Sequence, residues 1–140
     1  MNCPGCGAAD GLCRSRFEEY LALEFPNAGY GAVHHLTVAT YMVQHSSKLT
    51  PDGWRYERAL LREFLIENKP PAQVRKEAKN RLDSGKRAFR IKSRDRLPVM
   101  AKSTWSKTIL DVRAETAEQY REDVSAWARS VLAEAEAIAV

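Results

Sequence analysis

All three cysteines and all three histidines of this chain lie within its first 45 residues. Cys3 and Cys6 are separated by two residues in the sequence CPGCG, where the glycines allow backbone N–H groups to turn toward the sulfur atoms. A structural zinc ion is bound by four thiolate or imidazole ligands arranged as a tetrahedron, and such a pair supplies two of them. The clustering and the spacing therefore predict one zinc site, of the zinc-knuckle type, in this part of the chain.

Two predicted helices bring further ligands to this pair. Residues 13–25 carry apolar side chains at helical spacing, and residues 31–45 form a second helical pattern. The short link between them, residues 26–30, predicts an antiparallel helical hairpin, so Cys13 at the start of the first helix should lie beside His45 at the end of the second. The predicted ligands are Cys3, Cys6, Cys13 and His45.

His34 is the alternative fourth ligand. It lies eleven residues before His45, which is close to three helical turns, so the two histidines share a helix face but stand about 16 Å apart along the axis. One ion cannot bind both unless the helix breaks. His34 and His35 also have an ordinary alternative role, as hydrogen-bonded residues of a largely apolar helix.

The length and the composition favour one folded domain. With 140 residues and 44% hydrophobic residues, the chain can bury a core. We expect residues 1–140 to form a single zinc-stapled domain of mainly all-α class, a small bundle of about five helices with residues 1–13 as the knuckle. No apolar run suits a membrane span. Thiols in a metal-ligand pattern, without a secretion signal before them, favour a reducing, cytoplasmic location.

The segment from Arg75 to Lys107 is strongly basic. It contains twelve lysines and arginines against three acids, a balance of +9, whereas the whole chain has a net charge of only +4. Such a block can bind phosphates or an acidic partner. Residues 84–104 read as a long basic loop, in which alternation over residues 87–92 is compatible with a short strand. The candidate polyanion-binding residues are Arg87, Arg90, Lys92, Arg94 and Arg96.

A third helix is predicted after the hairpin. Thr50 and Pro51 are typical of a helix start, because a threonine oxygen can cap the first N–H groups and proline suits the first helical position. The helix should run to about Asn68. Its expected buried residues are Trp54, Leu61 and Leu65, and its expected outer residues are Arg58 and Arg62.

Three further segments complete the predicted architecture. Pro70 and Pro71 end the third helix and begin a surface helix over residues 71–83. Residues 105–112 form an extended segment that leads into a last helix over residues 114–138, which carries a continuous apolar stripe. The residues expected to anchor the extended segment are Trp105, Ile109 and Val112.

Several stretches of the chain carry a resemblance to a known family. They are CPGCG at 3–7, YGAVHHLTVATYMVQH at 30–45, TILDV at 108–112 and YREDVSAWARSVLAEA at 120–135. Together with the helix of Cys13, these stretches resemble, in the same order, a family of bacterial proteins of unknown function, DUF5946. The resemblance implies a metal site and a helical fold, and it implies no activity. The family pattern has an acid where this chain has Ala39, which weakens any active site that would use a carboxylate there.

Two hypotheses of function involve no catalysis. A site closed by three cysteines and one histidine leaves no coordination position for water, so the first is a binding or adaptor module held together by structural zinc. The alternative is a protein that uses its basic residues 75–107 to bind nucleic acid, another polyanion or an acidic protein partner. In that case Phe89 and Trp105 could stack on bases.

A metal-dependent enzyme is the third hypothesis. It requires an open metal site and a general base, for which His34 with Glu24 or Tyr41 is the candidate polar cluster. The chain has no HExxH motif, no nucleophile elbow and no Gly-rich phosphate loop. The Cys3–Cys6 pair also lacks the preceding strand of a dithiol oxidoreductase. The sequence therefore favours a protein that is not an enzyme.

Overall fold

The computed structural model describes residues 2–83 and 104–138, with the side chains of residues 48 and 78–83 excepted. In these residues the chain forms α-helices and short 3-10 helices and no β-strand, so the predicted all-α class is confirmed. The α-helices are α1 (Cys13–Glu24), α2 (Ala28–Gly31), α3 (His34–Gln44), α4 (Pro51–Leu65), α5 (Pro71–Asp83) and α6 (Ala117–Glu136). The 3-10 helices are Ala9–Gly11, Ser46–Lys48 and Ile109–Asp111.

Side-chain caps define where the two longest helices begin. The hydroxyl of Thr50 accepts a hydrogen bond from the backbone N–H of Gly53 at the start of α4. The hydroxyl of Thr116 does the same for the N–H of Gln119 at the start of α6. These bonds satisfy N–H groups that a helix leaves without an internal partner. In contrast, α1 begins without a side-chain cap, and its first residue is Cys13.

The C-terminal end of α3 is held by two buried tryptophans. α3 packs against both α4 and α6. Trp54 of α4 donates its indole N–H to the carbonyl oxygen of Val43 at 3.0 Å, and Trp127 of α6 donates to Oε1 of Gln44 at 3.0 Å. Both indoles are buried, so these hydrogen bonds hold the last turn of α3 against α4 and α6. The residue that follows is His45.

The predicted apolar stripe of α6 is confirmed. Its buried residues are Tyr120, Val124, Trp127, Ala128, Val131, Leu132 and Ala135. The segment before α6 is anchored by three buried residues, as expected: Trp105, Ile109 and Val112. This segment is not wholly extended, because Thr108 and Asp111 form a capping box around a 3-10 turn. Tyr20 of α1 donates its hydroxyl to the carbonyl oxygen of Val112, which ties this segment to the hairpin.

The second helix of the hairpin is broken where the sequence predicted one continuous helix over residues 31–45. α2 ends at Gly31, Val33 has non-helical dihedral angles of −109° and 15°, and α3 begins at His34. The break coincides with a close crossing of α1, since a Cβ on Gly31 would lie 2.7 Å from the carbonyl oxygen of Glu24. The close approach of the two helices thus lies just before the break.

The expectation that Arg58 lies on the outer surface is wrong. Its guanidinium lies 4.8 Å from the centroid of a Trp54 ring, and its Nη1 donates to the carbonyl oxygens of Ala135 and Ile138 at 3.3 and 3.4 Å. The last carbonyls of a helix have no internal partner and carry partial negative charge, so a cation is favoured there. Arg62, in contrast, is exposed and pairs with Glu136 at 2.8 Å.

The basic segment falls mostly outside the described residues. α5 covers Pro71–Asp83 as predicted, and its Val74 is buried. The expected loop at 84–104, apart from Thr104, and the possible strand over 87–92 lie outside the described ranges. So do the candidate polyanion-binding residues, namely Arg87, Arg90, Lys92, Arg94 and Arg96. Among the residues that are described, no helix has the length and apolarity needed to cross a membrane.

Candidate metal centre

The four predicted ligands come together at one point. One donor atom from each of Cys3, Cys6, Cys13 and His45 lies within 4.8 Å of all the others. Donors about 2.3 Å from a tetrahedral zinc ion stand about 3.8 Å apart, so the widest pair would have to approach by about 1 Å. The four residues are therefore positioned to hold a metal ion.

The knuckle is a tight turn closed by backbone hydrogen bonds. The N–H of Gly7 donates to the carbonyl oxygen of Cys3, and the N–H of Cys3 donates to the carbonyl oxygen of Ala8, both at 2.9 Å. Gly7 has a φ of 82°, in the left-handed region that favours glycine. This geometry turns the first two thiols toward the N-terminus of α1, where Cys13 is located.

Gly5 brings the knuckle into direct contact with the end of α3. A Cβ at this position would lie 2.8 Å from the carbonyl oxygen of Gln44 and 3.1 Å from Cδ2 of His45, so only glycine fits without a shift. On its carbonyl side, Gly5 accepts a hydrogen bond of 3.0 Å from the indole N–H of Trp105. The knuckle is thus held between α3 and the segment that precedes α6.

The imidazole of His45 has one nitrogen that makes no hydrogen bond within the described part of the chain. Its Nδ1 lies 2.7 Å from the carbonyl oxygen of Tyr41, which can only accept, so Nδ1 carries the proton and donates. Nε2 then carries a lone pair. Nε2 is buried and has no hydrogen-bond partner within the described part of the chain. A buried polar atom left without a partner costs about 1–3 kcal/mol, and a metal ion would remove this cost.

Stacked rings orient this imidazole. Tyr41 stacks on His45 with centroids 3.9 Å apart and an interplanar angle of 23°. Phe17 of α1 stacks on Tyr41 at 3.8 Å and 4°. The stack of three rings spans the hairpin formed by α1 and α3. The orientation of the imidazole therefore depends on how these two helices pack together. Packing of this kind around a ligand commonly sets both the ring orientation and the metal affinity.

The protonation states follow from burial and from local N–H groups. Burial raises the pKa of the Cys6 thiol and that of the Cys13 thiol. Burial also acts to raise the pKa of Cys3, but hydrogen bonds from the N–H groups of Cys6 and Gly5 and from the neighbouring thiols together outweigh it and leave this pKa below its usual value. Burial lowers the pKa of His45, which favours the neutral imidazole that binds metals. A bound cation would deprotonate the thiols it coordinates.

The other two histidines lie apart from this cluster. His34, the alternative fourth ligand, places its Nδ1 2.8 Å from Oε1 of Glu24 and is not among the four converging residues. His35 packs edge-on against the ring of Phe64, with centroids 4.7 Å apart, and burial lowers its pKa. The polar cluster predicted for His34 therefore forms with Glu24 and not with Tyr41.

The sequence did not reveal that three further residues, Tyr41, Gly5 and Trp105, support the metal centre. The spacing of Tyr41 and His45, four residues apart on one helix, is a signal that could have indicated their contact. Gly5 lies between the two cysteines, but its approach to α3 requires knowledge of the hairpin register. Trp105 lies 100 residues from Gly5, and no local pattern predicts such a contact.

Comparison with known proteins identifies the family of the chain. A family model described as "Family of unknown function (DUF5946)" matches residues 1–136. The matched region contains all four converging residues and all six α-helices. Neither the curated proteins nor the solved structures include a match to the chain. The chain belongs to the DUF5946 family.

Proposed function

We propose that this chain is a non-catalytic binding module whose helices are held in place by a structural zinc ion. The observation that carries the proposal is the convergence of three thiols and the imidazole of His45 within 4.8 Å, together with the buried Nε2 of that imidazole, which has no partner among the described residues. Cys3, Cys6 and Cys13 would bind as thiolates and His45 as a neutral imidazole.

The donor set favours zinc and a closed site. Thiolates select soft or borderline ions, and a set of three sulfurs and one imidazole nitrogen is typical of structural zinc. Four protein donors complete a tetrahedron, so no position remains for water or substrate. Burial of Cys6 and Cys13, which are 1% and 3% exposed, also keeps solvent from the ion.

The ion would join three parts of the chain. Cys3 and Cys6 lie in the knuckle, Cys13 begins α1, and His45 directly follows α3. A bound ion would therefore hold the open end of the α1–α3 hairpin closed and hold the knuckle against it. In zinc-finger peptides, metal binding contributes about 10–16 kcal/mol to folding at neutral pH. We expect removal of zinc to loosen this corner first.

Metal analysis of protein purified without chelators tests the proposal. We expect about one zinc ion per chain, given one set of four donors. His45→Ala should lose the ion, whereas the matched control His34→Ala, which changes a histidine outside the cluster, should retain it. Zinc-free wild-type protein, or equal metal content in both variants, would contradict the proposed ligand set.

Cobalt substitution tests whether the site is closed. Co²⁺ bound by three thiolates and one imidazole should show the intense d–d absorption of a tetrahedral complex together with sulfur-to-metal charge transfer. Added azide or cyanide should leave the spectrum unchanged, because no position is open to them. A spectral change on adding azide would indicate an open coordination position and would remove the argument against catalysis at this ion.

A further inference from the structure

A second polar cluster lies at the opposite end of α3 from the metal centre, around the carboxylate of Glu24. Glu24 is the last residue of α1 and is only 4% exposed. Its Oε2 accepts hydrogen bonds from the hydroxyls of Thr37 at 2.6 Å and Tyr120 at 2.5 Å, and its Oε1 lies 2.8 Å from Nδ1 of His34. One carboxylate thus joins α1, α3 and α6.

The hydrogen-bond pattern determines the tautomer of His34. An ionised carboxylate only accepts hydrogen bonds, so Thr37, Tyr120 and His34 all act as donors toward it. Burial and the hydrogen bond to Glu24 raise the pKa of Tyr120, which keeps its hydroxyl protonated as a donor. In the neutral form of the imidazole, the proton is therefore on Nδ1 and Nε2 carries a lone pair. The carboxylate behind the ring strengthens Nε2 as an acceptor, because linked hydrogen bonds polarise one another.

This acceptor is accessible. The side chain of His34 is 58% exposed, whereas that of Glu24 is 1% exposed. Within the part of the chain that the structure describes, Nε2 of His34 has no hydrogen-bond partner. A purely structural imidazole would need only its bond to Glu24, so the exposed nitrogen is available to a ligand.

An open, mostly apolar cavity of about 610 Å³ lies beside the side chain of His34, which is one of its lining residues. Its size lies within the range of about 300–1,000 Å³ that small-molecule sites occupy. Its side chains are apolar apart from Glu24 and His34, and no lysine or arginine of the described residues lines it. Phe25, which is 94% exposed, is also a lining residue. The lining residues are Leu21, Glu24, Phe25, Ala28, Gly31, Ala32 and His34.

We propose that this cavity binds a small neutral molecule with an apolar body and one hydroxyl, of the phenol or simple alcohol class, whose O–H donates to Nε2 of His34. An anionic ligand is disfavoured because the charge of Glu24 lies directly behind the imidazole. A metal or organic cation gains little, since the carboxylate is buried and already accepts three hydrogen bonds. The apolar wall accounts for the body of the ligand, and the single exposed acceptor accounts for its hydroxyl.

This proposal names a ligand class for the binding module and therefore rests on the proposed function. It does not depend on which metal the four donors hold. His34 begins α3 and His45 follows it, so substitutions at residue 34 leave the four metal donors unchanged. Metal content measured on the same samples separates the two proposals. Failure of the metal proposal appears as absent zinc, and failure of this one appears as absent ligand response in metal-loaded protein.

The test compares two probes that differ only in the hydroxyl, 4-ethylphenol and ethylbenzene. Binding to the full isotope-labelled chain is followed by NMR, through the ring nitrogens of His34 and the methyl groups of Leu21 and Ala32. Since one hydrogen bond has a modest net strength, we expect 4-ethylphenol to bind about three- to tenfold more tightly than ethylbenzene. Its binding should also shift the Nε2 resonance of His34.

Two variants complete the test. His34→Phe keeps a ring of similar size but removes the acceptor, so the two probes should then bind equally. Ala32→Phe places a large side chain in the cavity and should abolish binding of both, and the amide spectrum of each variant reports whether it folds. Equal affinity of wild-type protein for the two probes would overturn the proposal. Absence of any response at His34 to either probe would also overturn it, whatever the variants do.

Discussion

Replacing Gly5 with alanine should weaken metal binding about ten- to a hundredfold, the loss that typically follows when the surroundings of a metal ligand are disturbed. The new Cβ would lie 2.8 Å from the carbonyl oxygen of Gln44 and 3.1 Å from Cδ2 of His45. Ordinary contact begins at 3.4 Å, so the knuckle must move from α3 by about 0.6 Å. Because metal–ligand distances tolerate only about 0.2 Å, Cys3 and Cys6 must recover this displacement when they close on the ion with His45, and the clash with α3 then weakens the bound state.

Gly31→Ala is the matched control for this variant. A Cβ at Gly31 would lie 2.7 Å from the carbonyl oxygen of Glu24, which is a backbone clash of the same size at a place distant from the four donors. Zinc affinity is measured by competition with a chromophoric chelator, and stability by urea unfolding of the metal-loaded protein. Both variants should be less stable than wild type, because each introduces a backbone clash. Since folding and metal binding are linked, each should also lose some zinc affinity. Only Gly5→Ala should lose more affinity than its stability change explains.

Two outcomes would refute this reasoning. If Gly5→Ala binds zinc as tightly as wild type, the close approach of the knuckle to α3 does not position the donors. If Gly31→Ala loses as much affinity as Gly5→Ala at the same loss of stability, the effect of either glycine acts through the whole fold and not through the ligand geometry.

Three further predictions concern other parts of the chain. Glu24→Gln should lower the free energy of unfolding by about 1–3 kcal/mol in urea denaturation, because an amide N–H₂ would face hydroxyl donors; unchanged stability would contradict the described network. The hydrogen bond from Arg113 holds the pKa of Asp123 below its usual value. The ionised carboxylate therefore stabilises the folded state fully at pH values above its unfolded pKa of about 3.9. This stabilisation is lost as the pH falls through the lower pKa of the folded state. The melting temperatures of wild type and Asp123→Asn should therefore converge in acid, and a constant difference would argue against this pair. Neutralising four cations of the basic segment should reduce binding of single-stranded DNA at low salt without altering stability, and a wild type that binds no polyanion would exclude this role. These four are Arg90, Lys92, Arg94 and Arg96.

The convergence of the four donors could be predicted because it depends on short-range patterns. The spacing of Cys3 and Cys6 indicates a knuckle, and a short link between two helical patterns indicates a hairpin. Those two inferences alone place Cys13 beside His45. The caps and the apolar stripe of α6 are equally local, since each depends on residues within one or two turns.

The features that sequence reasoning missed depend on contacts between distant residues. The break between α2 and α3 comes just after Gly31 passes close to Glu24, a contact that exists only in the folded chain. Arg58 has the charge and spacing of a surface residue, and only the position of the α6 C-terminus makes it a capping group. Glu24 carries no local sign of burial, because its hydroxyl partner Tyr120 lies 96 residues away.

The hydrogen bond from Trp105 to Gly5 also has a spectroscopic consequence. Trp105 is the one tryptophan of the three whose indole bonds to the knuckle, while Trp54 and Trp127 bond to the end of α3. If the knuckle detaches when its ion is withdrawn, the indole of Trp105 enters water and its emission shifts to longer wavelength, while the emission of the other two is retained. Comparison with Trp105→Phe, in which this shift should be absent, would assign the signal. Zinc release could then be timed by stopped-flow fluorescence without an added dye.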